Sequence, residues 1–273
     1  MGIFSGTLLT SDVDGTLINY SGDMPQRNIE AIEYYIANGG LFTVATGRGV
    51  VSATRYIKRI THNCAPIVFN GSAIYDFEKQ QFLWQHPLPD SVHAVVADIL
   101  ENCPDMGIQV YSELDMFVLK DSAVNQRMVA YEGMPYTYEK LEDITCRKWN
   151  KILCLSEEEK TEALIEYLKK YSPEDFHFMR TQKEYYEIVA TGADKGSALV
   201  RLGQLYDIAP ENIYAIGDYY NDVQLIEAAG YSAYTSGAPE ELKPTANYIA
   251  CDVDEGSVAD FIYHIEKRIN AGL

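Results

Sequence analysis

The chain has 273 residues, 47% of them hydrophobic and 23% charged, with a formal net charge of −18 from 40 acidic and 22 basic side chains. A chain of that size buries a large core and sits near the ~250–300 residues at which single cores divide, so two domains are expected. A surface this acidic excludes nucleic acid and anionic membranes as partners, because both are bound chiefly by Lys and Arg neutralising phosphates.

The same charge repels small phosphorylated molecules unless a cation or local basic groups reverse the field inside a site. Cys64, Cys103, Cys146, Cys154 and Cys251 make an odd set with no C-x-x-C spacing. They read as free thiols in a reducing cytosol, neither a disulfide framework nor a zinc site. The first residues lack a basic start and an apolar run, and no stretch approaches the ~18 apolar residues of a membrane span. A cytoplasmic protein is expected, and Asn70-Gly71-Ser72 is then a chance sequon.

Residues 7–10 read as a strand leading into Ser11-Asp12-Val13-Asp14-Gly15-Thr16. A helix follows over 25–38, with Pro25 in its first turn and Gly39-Gly40 at its end. A buried strand over 41–45 ends at Thr46-Gly47-Arg48, a helix spans 51–61, and a strand over 66–69 ends at Asn70-Gly71. This β-α-β-α-β rhythm predicts a doubly wound parallel sheet. Each polar cluster falls at the carboxyl end of a strand, where open α/β sheets bind ligands.

From residue 91 the rhythm changes to a helix (92–100), strands (107–111, 116–119), a helix (122–131) and a strand (151–155). Ser156 and Glu159 suggest a capping box opening a helix to 170, and strands over 176–181 and 185–190 close the segment. Helix-strand-strand at both ends marks a separate α+β module. After Asp194-Lys195-Gly196 the alternation returns: helix 197–206, strand 213–216, Gly217-Asp218, a helix from about 221, short strands at 232–234 and 247–249, and a helix over 258–270. The predicted fold class is therefore α/β, a discontinuous Rossmann-like core (1–86 and 189–273) with an inserted α+β cap (87–188).

Asp12 and Asp14 are two apart at a strand end, where alternate side chains share a face and Gly15 lets the chain turn. Close carboxylates repel, so they need a cation or one proton between them. Both arrangements serve phosphoryl transfer, although Asp-Gly also marks a plain turn. The run Asp12-Val13-Asp14-Gly15-Thr16-Leu17 resembles the first motif of the haloacid dehalogenase (HAD) superfamily. Ala45-Thr46-Gly47-Arg48 resembles the second, Lys195 in Asp194-Lys195-Gly196 the third, and Gly217-Asp218-Tyr219-Tyr220-Asn221-Asp222 the fourth, all in order. The resemblance covers essentially the whole chain and is closest to the Cof-type branch, with a type IIB cap between the second and third motifs.

The resemblance implies a Mg²⁺-dependent phosphatase acting on a small phosphorylated metabolite, with a sugar phosphate as first guess. Asp12 would be the nucleophile and Asp14 the general acid and base. Asp12, the main-chain carbonyl of Asp14 and Asp218 would hold the metal, with Asp222 reaching it through water or positioning Lys195. Thr46, Gly47, Asn70, Asn221 and Lys195 would contact the phosphate. Arg48 is left between phosphate and a carboxylate. Thr46 as a simple cap, Asp222 as a first-turn acid and Asn70 as a turn residue are the plainer alternatives. Tyr219-Tyr220 depart from the small or acidic residues usual there. They, with Tyr111, Tyr185 and Tyr186, are candidates to face a sugar or aromatic leaving group, though tyrosines are more often packing. The five histidines show no ligand spacing. A phosphosugar mutase shares the cap type, and a non-catalytic phosphometabolite-binding regulator is the reading from another class.

Overall fold

The computed structural model describes residues 2–273, the side chains of Tyr131 and Glu132 excepted. β1 (Leu8–Asp12) is buried at every position, as suits a parallel strand covered on both faces. α1 (Gln26–Ala37) starts behind Pro25 and buries Ala31, Ile32 and Tyr35 along one stripe. β2 (Leu41–Ala45), α2 (Val50–Ile57) and β3 (Ile67–Val68) follow. α2 is shorter than predicted, because residues 58–60 leave it as a turn. The strand predicted over 66–69 is also cut short: Phe69 and Asn70 both take left-handed φ, 54° and 53°. Gly71, at φ 101°, completes that reversal. β4 (Ala73–Asp76) then returns antiparallel to β3 and is followed by β5 (Gln81–Gln85), neither of them predicted.

The next segment holds α3 (Val92–Asn102), β6 (Gly107–Ser112), β7 (Asp115–Lys120), α4 (Ala123–Glu132), β8 (Thr137–Tyr138), α5 (Leu141–Ile144), β9 (Lys151–Leu155), α6 (Glu158–Leu168), β10 (Phe176–Gln182) and β11 (Tyr185–Ala190). Its sheet runs β10-β11-β9-β6-β7-β8, antiparallel except at β7–β8. The two strand pairs of the helix-strand-strand pattern thus flank β9. The predicted capping box is absent: Glu157 is the N-cap of α6 without a side-chain cap, and Ser156 Oγ instead donates to the Asp105 carbonyl at 2.9 Å. Val92, Val95 and Val96 of α3, Leu164 and Leu168 of α6, and Ile108, Ile152 and Ile188 of the sheet build this segment's own core around Trp149.

The chain then resumes the first sheet with α7 (Lys195–Leu205), β12 (Ile213–Gly217), α8 (Val223–Ala228), β13 (Tyr231–Thr235), β14 (Tyr248–Ala250) and α9 (Ser257–Asn270). The eight strands lie in the order β14-β13-β12-β1-β2-β3-β4-β5. All pairs from β14 to β3 are parallel. From β1 the chain winds outward through β2 and β3, and later from β12 through β13 and β14. The β1–β12 pair is therefore the point where the winding reverses, the place where such sheets bind ligands. α1 packs against α9, and α7 against α8.

The chain forms two compact units. One comprises the chain up to Arg48 with residues 53–84 and 194–273, and the other residues 49–52 and 85–193. The predicted insertion, 87–188, lies inside the second unit. That unit extends further because Ala190 and Ala193 pack into its core.

Candidate active site

Every residue assigned to chemistry lies in the first unit. β1 carries Asp12 as its last residue, and β12 runs beside it with Ser11 opposite Ile216, so the residue after Gly217, Asp218, emerges next to Asp12. Gly15 makes this approach possible. Its φ is 94°, and a Cβ there would stand 2.4 Å from Asp218 Oδ2. Lys195 arrives from another direction, as the first residue of α7, whose N-cap Asp194 accepts from Ser197 N at 2.8 Å. Gly71 allows that helix start to lie close: a Cβ on it would stand 2.0 Å from the Asp194 carbonyl oxygen.

Lys195 Nζ donates to Asp12 Oδ1 at 2.5 Å and to Asp222 Oδ1 at 2.6 Å, with 1% of Lys195 and none of Asp222 exposed. Asp222 Oδ2 accepts from the backbone N–H groups of Asp218 (3.0 Å) and Tyr219 (3.3 Å). Both its oxygens are thus engaged, which suits a residue that holds Lys195 and the loop after β12. Asp218 accepts from Thr16 Oγ1 at 2.9 Å and from the Tyr20 hydroxyl at 3.3 Å. Thr16 is fixed in turn by Ser257 Oγ donating to its carbonyl at 2.7 Å.

Carboxylate oxygens of Asp12, Asp218 and Asp222 lie within 4.8 Å of one another. Burial pushes the Asp12 pKa well up, and Asp222 and Asp218 add to this while Lys195 opposes it. Burial and then Asp222 raise Asp218 to about 6. Burial alone would lower Lys195, but Asp12 and Asp222 outweigh it and hold the ammonium charged. Three buried carboxylates facing one ammonium are short of positive charge. A convergent set of oxygen donors with that deficit fits a hard divalent cation such as Mg²⁺.

Thr46 is buried, and its Oγ1 accepts from Arg48 N at 3.2 Å, inside the loop after β2 and short of the first turn of α2. Asn70 N donates to the Thr46 carbonyl at 3.0 Å. The Asn70 side chain is buried beside Gly47, and its Oδ1 has no hydrogen-bond partner among the described residues. Arg48 pairs with a carboxylate: Nε and Nη2 donate to Oδ2 and Oδ1 of Asp14, both at 3.0 Å. The Asp14 side chain is 44% exposed, unlike Asp12. Asn221 is exposed in the short turn Tyr220–Asp222, apart from the buried cluster. Tyr219 and Tyr220 are also exposed and meet edge to face at 4.9 Å, and the Tyr220 hydroxyl donates to Glu241. Sequence reasoning missed Thr16 and Tyr20 as partners of Asp218. Thr16 stood in the first motif and could have been found. Tyr20 carried no signal.

The model of the haloacid dehalogenase-like hydrolase family matches residues 9–262, and the chain belongs to that family. Within it the chain is a phosphoric monoester hydrolase. Among curated relatives it is 28% identical over 279 residues to the 5-amino-6-(5-phospho-D-ribitylamino)uracil phosphatase YwtE of Bacillus subtilis (strain 168), covering 92% of this chain and 95% of the relative. A haloacid dehalogenase-like hydrolase from Bacteroides thetaiotaomicron superposes with a TM-score of 0.84 at 25% identity, over 95% of this chain and 99% of the other. A HAD subclass IIB sugar phosphatase superposes with a TM-score of 0.78 at 19% identity, over 95% and 98% of the two chains, a likeness of fold. Among the described residues no helix is long and apolar enough to cross a membrane.

Proposed function

We propose that the protein is a Mg²⁺-dependent cytoplasmic phosphatase of small phosphorylated metabolites, with sugar phosphates the first class to test, and that it works through a phosphoryl group carried on Asp12. Asp12 Oδ forms a bond to phosphorus as the bond to the leaving oxygen breaks, and Asp14 gives that oxygen its proton. Water then attacks phosphorus and passes a proton to Asp14, and the electron pair of the broken bond returns to Asp12. Lys195 balances the charge of Asp12. Thr46, the Gly47 backbone, Asn70 and Asn221 are the donors assigned to phosphoryl oxygens. A divalent ion held by Asp12, Asp218 and the Asp14 carbonyl would supply the positive charge that lets an anionic nucleophile meet an anionic substrate.

The observation that carries this reading is the convergence of Asp12, Asp218, Asp222 and Lys195 at the winding reversal of the sheet. The deficit of positive charge calls for a divalent cation, which together with the Lys195 ammonium would let an anionic nucleophile meet a phosphate. The relatives' substrates, a ribityl phosphate and sugar phosphates, make polyol and sugar esters the first panel. Phosphate release from such a panel should require Mg²⁺, stop in EDTA, and vanish in Asp12→Asn. Turnover by Asp12→Asn at the wild-type rate removes the covalent step. Transfer between positions of one sugar in place of release identifies a mutase.

A further inference from the structure

We propose that Tyr56 is a positioning residue for Asp14, acting through Arg48. This rests on the reading of Asp14 as the acid–base group. Asp14 is half-exposed, and an exposed ion pair holds a carboxylate only weakly, because water competes and both side chains lose freedom. A group that must meet the leaving oxygen at hydrogen-bond distance needs a firmer hold than that.

The firmer hold is visible behind Arg48. Its guanidinium grips Asp14 through two parallel bonds, which fix the carboxylate plane as a single bond would not. The Arg48 Cζ lies 4.2 Å from the centroid of the Tyr56 ring, within cation–π range. The Tyr56 ring is backed by a second guanidinium, for Arg55 Cζ stands 4.7 Å from its centroid. The Arg48 backbone is pinned on both sides, its N–H donating to Thr46 Oγ1 and its carbonyl accepting from Phe69 N at 2.9 Å. The Arg48 side chain is a long lever on the Asp14 carboxylate, and Tyr56 lies against its end. α2 thus carries an aromatic plate that determines where the Asp14 carboxylate rests.

The test compares single-turnover phosphorylation rates on p-nitrophenyl phosphate, whose leaving group departs without a proton, and phenyl phosphate, whose leaving group needs one. With Mg²⁺ present, Tyr56→Leu should slow phenyl phosphate ~10-fold and p-nitrophenyl phosphate by less than ~2-fold, a small part of what general acid catalysis supplies. Tyr56→Phe keeps the ring and should hold both rates within ~2-fold of wild type. Arg48→Lys keeps the charge but loses the planar fork, so it should reproduce the substrate-dependent loss even if the Leu variant does not fold. Adding Tyr56→Leu to Arg48→Lys should cost nothing further. Equal slowing of both substrates, no slowing, or full additivity of the two changes would overturn the proposal. Two controls separate it from the function it rests on. Asp12→Asn that still phosphorylates, or Asp14→Asn that slows both substrates equally, sinks the catalytic reading. If those controls behave and the Tyr56 series is flat, the positioning role alone falls.

Discussion

Asp222→Asn tests whether this acid holds Lys195 and its loop or is a metal ligand. In the protein its carboxylate accepts an ammonium on one oxygen and two backbone N–H groups on the other, with no part of it exposed. An amide has one acceptor atom. Whichever way it turns, its NH₂ faces a donor, either Lys195 Nζ or the N–H groups of Asp218 and Tyr219. Losing a charge-assisted bond and burying a mismatched donor each cost about 1.5–3 kcal/mol, and breaking one partner out of a buried pair typically costs about 3–5 kcal/mol in all. With the NH₂ toward Lys195 the ammonium keeps only Asp12, and with it toward the loop the N–H groups of Asp218 and Tyr219 lose their acceptor. Differential scanning calorimetry should show a loss of about 3–5 kcal/mol in the transition that Mg²⁺ stabilises, with kcat reduced at least tenfold. Mg²⁺ affinity by isothermal titration should fall less than tenfold, since Asp12 and Asp218 stay in place. A stability change below about 1 kcal/mol, or Mg²⁺ binding abolished at unchanged stability, would refute the argument.

The metal-free site should make stability fall with rising pH. Asp218 moves from 3.8 to about 6, so its contribution is fully present below pH ~4 and lost as pH rises through ~6, a difference of about 3 kcal/mol. Calorimetry in EDTA should therefore show the core transition higher at pH 5 than at pH 8, Asp218→Asn should weaken the trend and leave the part carried by the raised Asp12, and Mg²⁺ should restore stability at pH 8 but little at pH 5. Rising stability in EDTA from pH 5 to 8 would contradict this. Gly15→Ala meets both a left-handed φ and a carboxylate oxygen 2.4 Å from the new methyl carbon, so a stability cost of about 1–3 kcal/mol and weaker Mg²⁺ binding are expected from melting and titration. In the second unit, Lys151→Met leaves the buried Glu187 without its cationic partner at 3.0 Å and should cost about 3–5 kcal/mol, while Lys151→Met with Glu187→Leu should recover most of it; limited proteolysis of that unit would register both.

The parts of the fold legible in the sequence were those with a strong period or a motif. β2, β9 and β11 are largely apolar or β-branched runs with the expected limits, and β1 starts one residue later and ends two residues further on than expected. β4 and β5 were not, because Phe69 and Asn70 adopt left-handed backbone without a glycine at either position and the chain doubles back earlier than its composition suggests. Ser156 and Glu159 matched a capping box in spelling only, since the Ser156 hydroxyl was drawn to a carbonyl fifty-one residues away. In the site, Asp12, Thr46, Lys195 and Asp218 stood at strand ends or a helix start, which sequence spacing marks well. A carboxylate partner for Arg48 was one of two open readings, but that it is Asp14, with Tyr56 behind it, was invisible, for side-chain pairing across separate elements leaves no trace in linear spacing.

An acidic protein that takes an anionic substrate faces a charge problem, and the site suggests how it is met. Lys195 is buried between two carboxylates and so is spent on them, and Arg48 is spent on Asp14. Four carboxylates thus share two cationic side chains, an excess of two negative charges with all four ionised and of one when Asp14 carries the proton it donates. A divalent cation cancels the larger excess where a monovalent one halves it, so on the proposed mechanism the metal is needed for substrate to bind as well as for the chemical step. Phosphate, added as inorganic anion, should then compete with substrate in Mg²⁺ and show no measurable binding by titration in EDTA with K⁺. Binding of equal strength under both conditions would mean that Thr46, Asn70 and the backbone donors suffice, and that the acidic cluster serves the nucleophile alone.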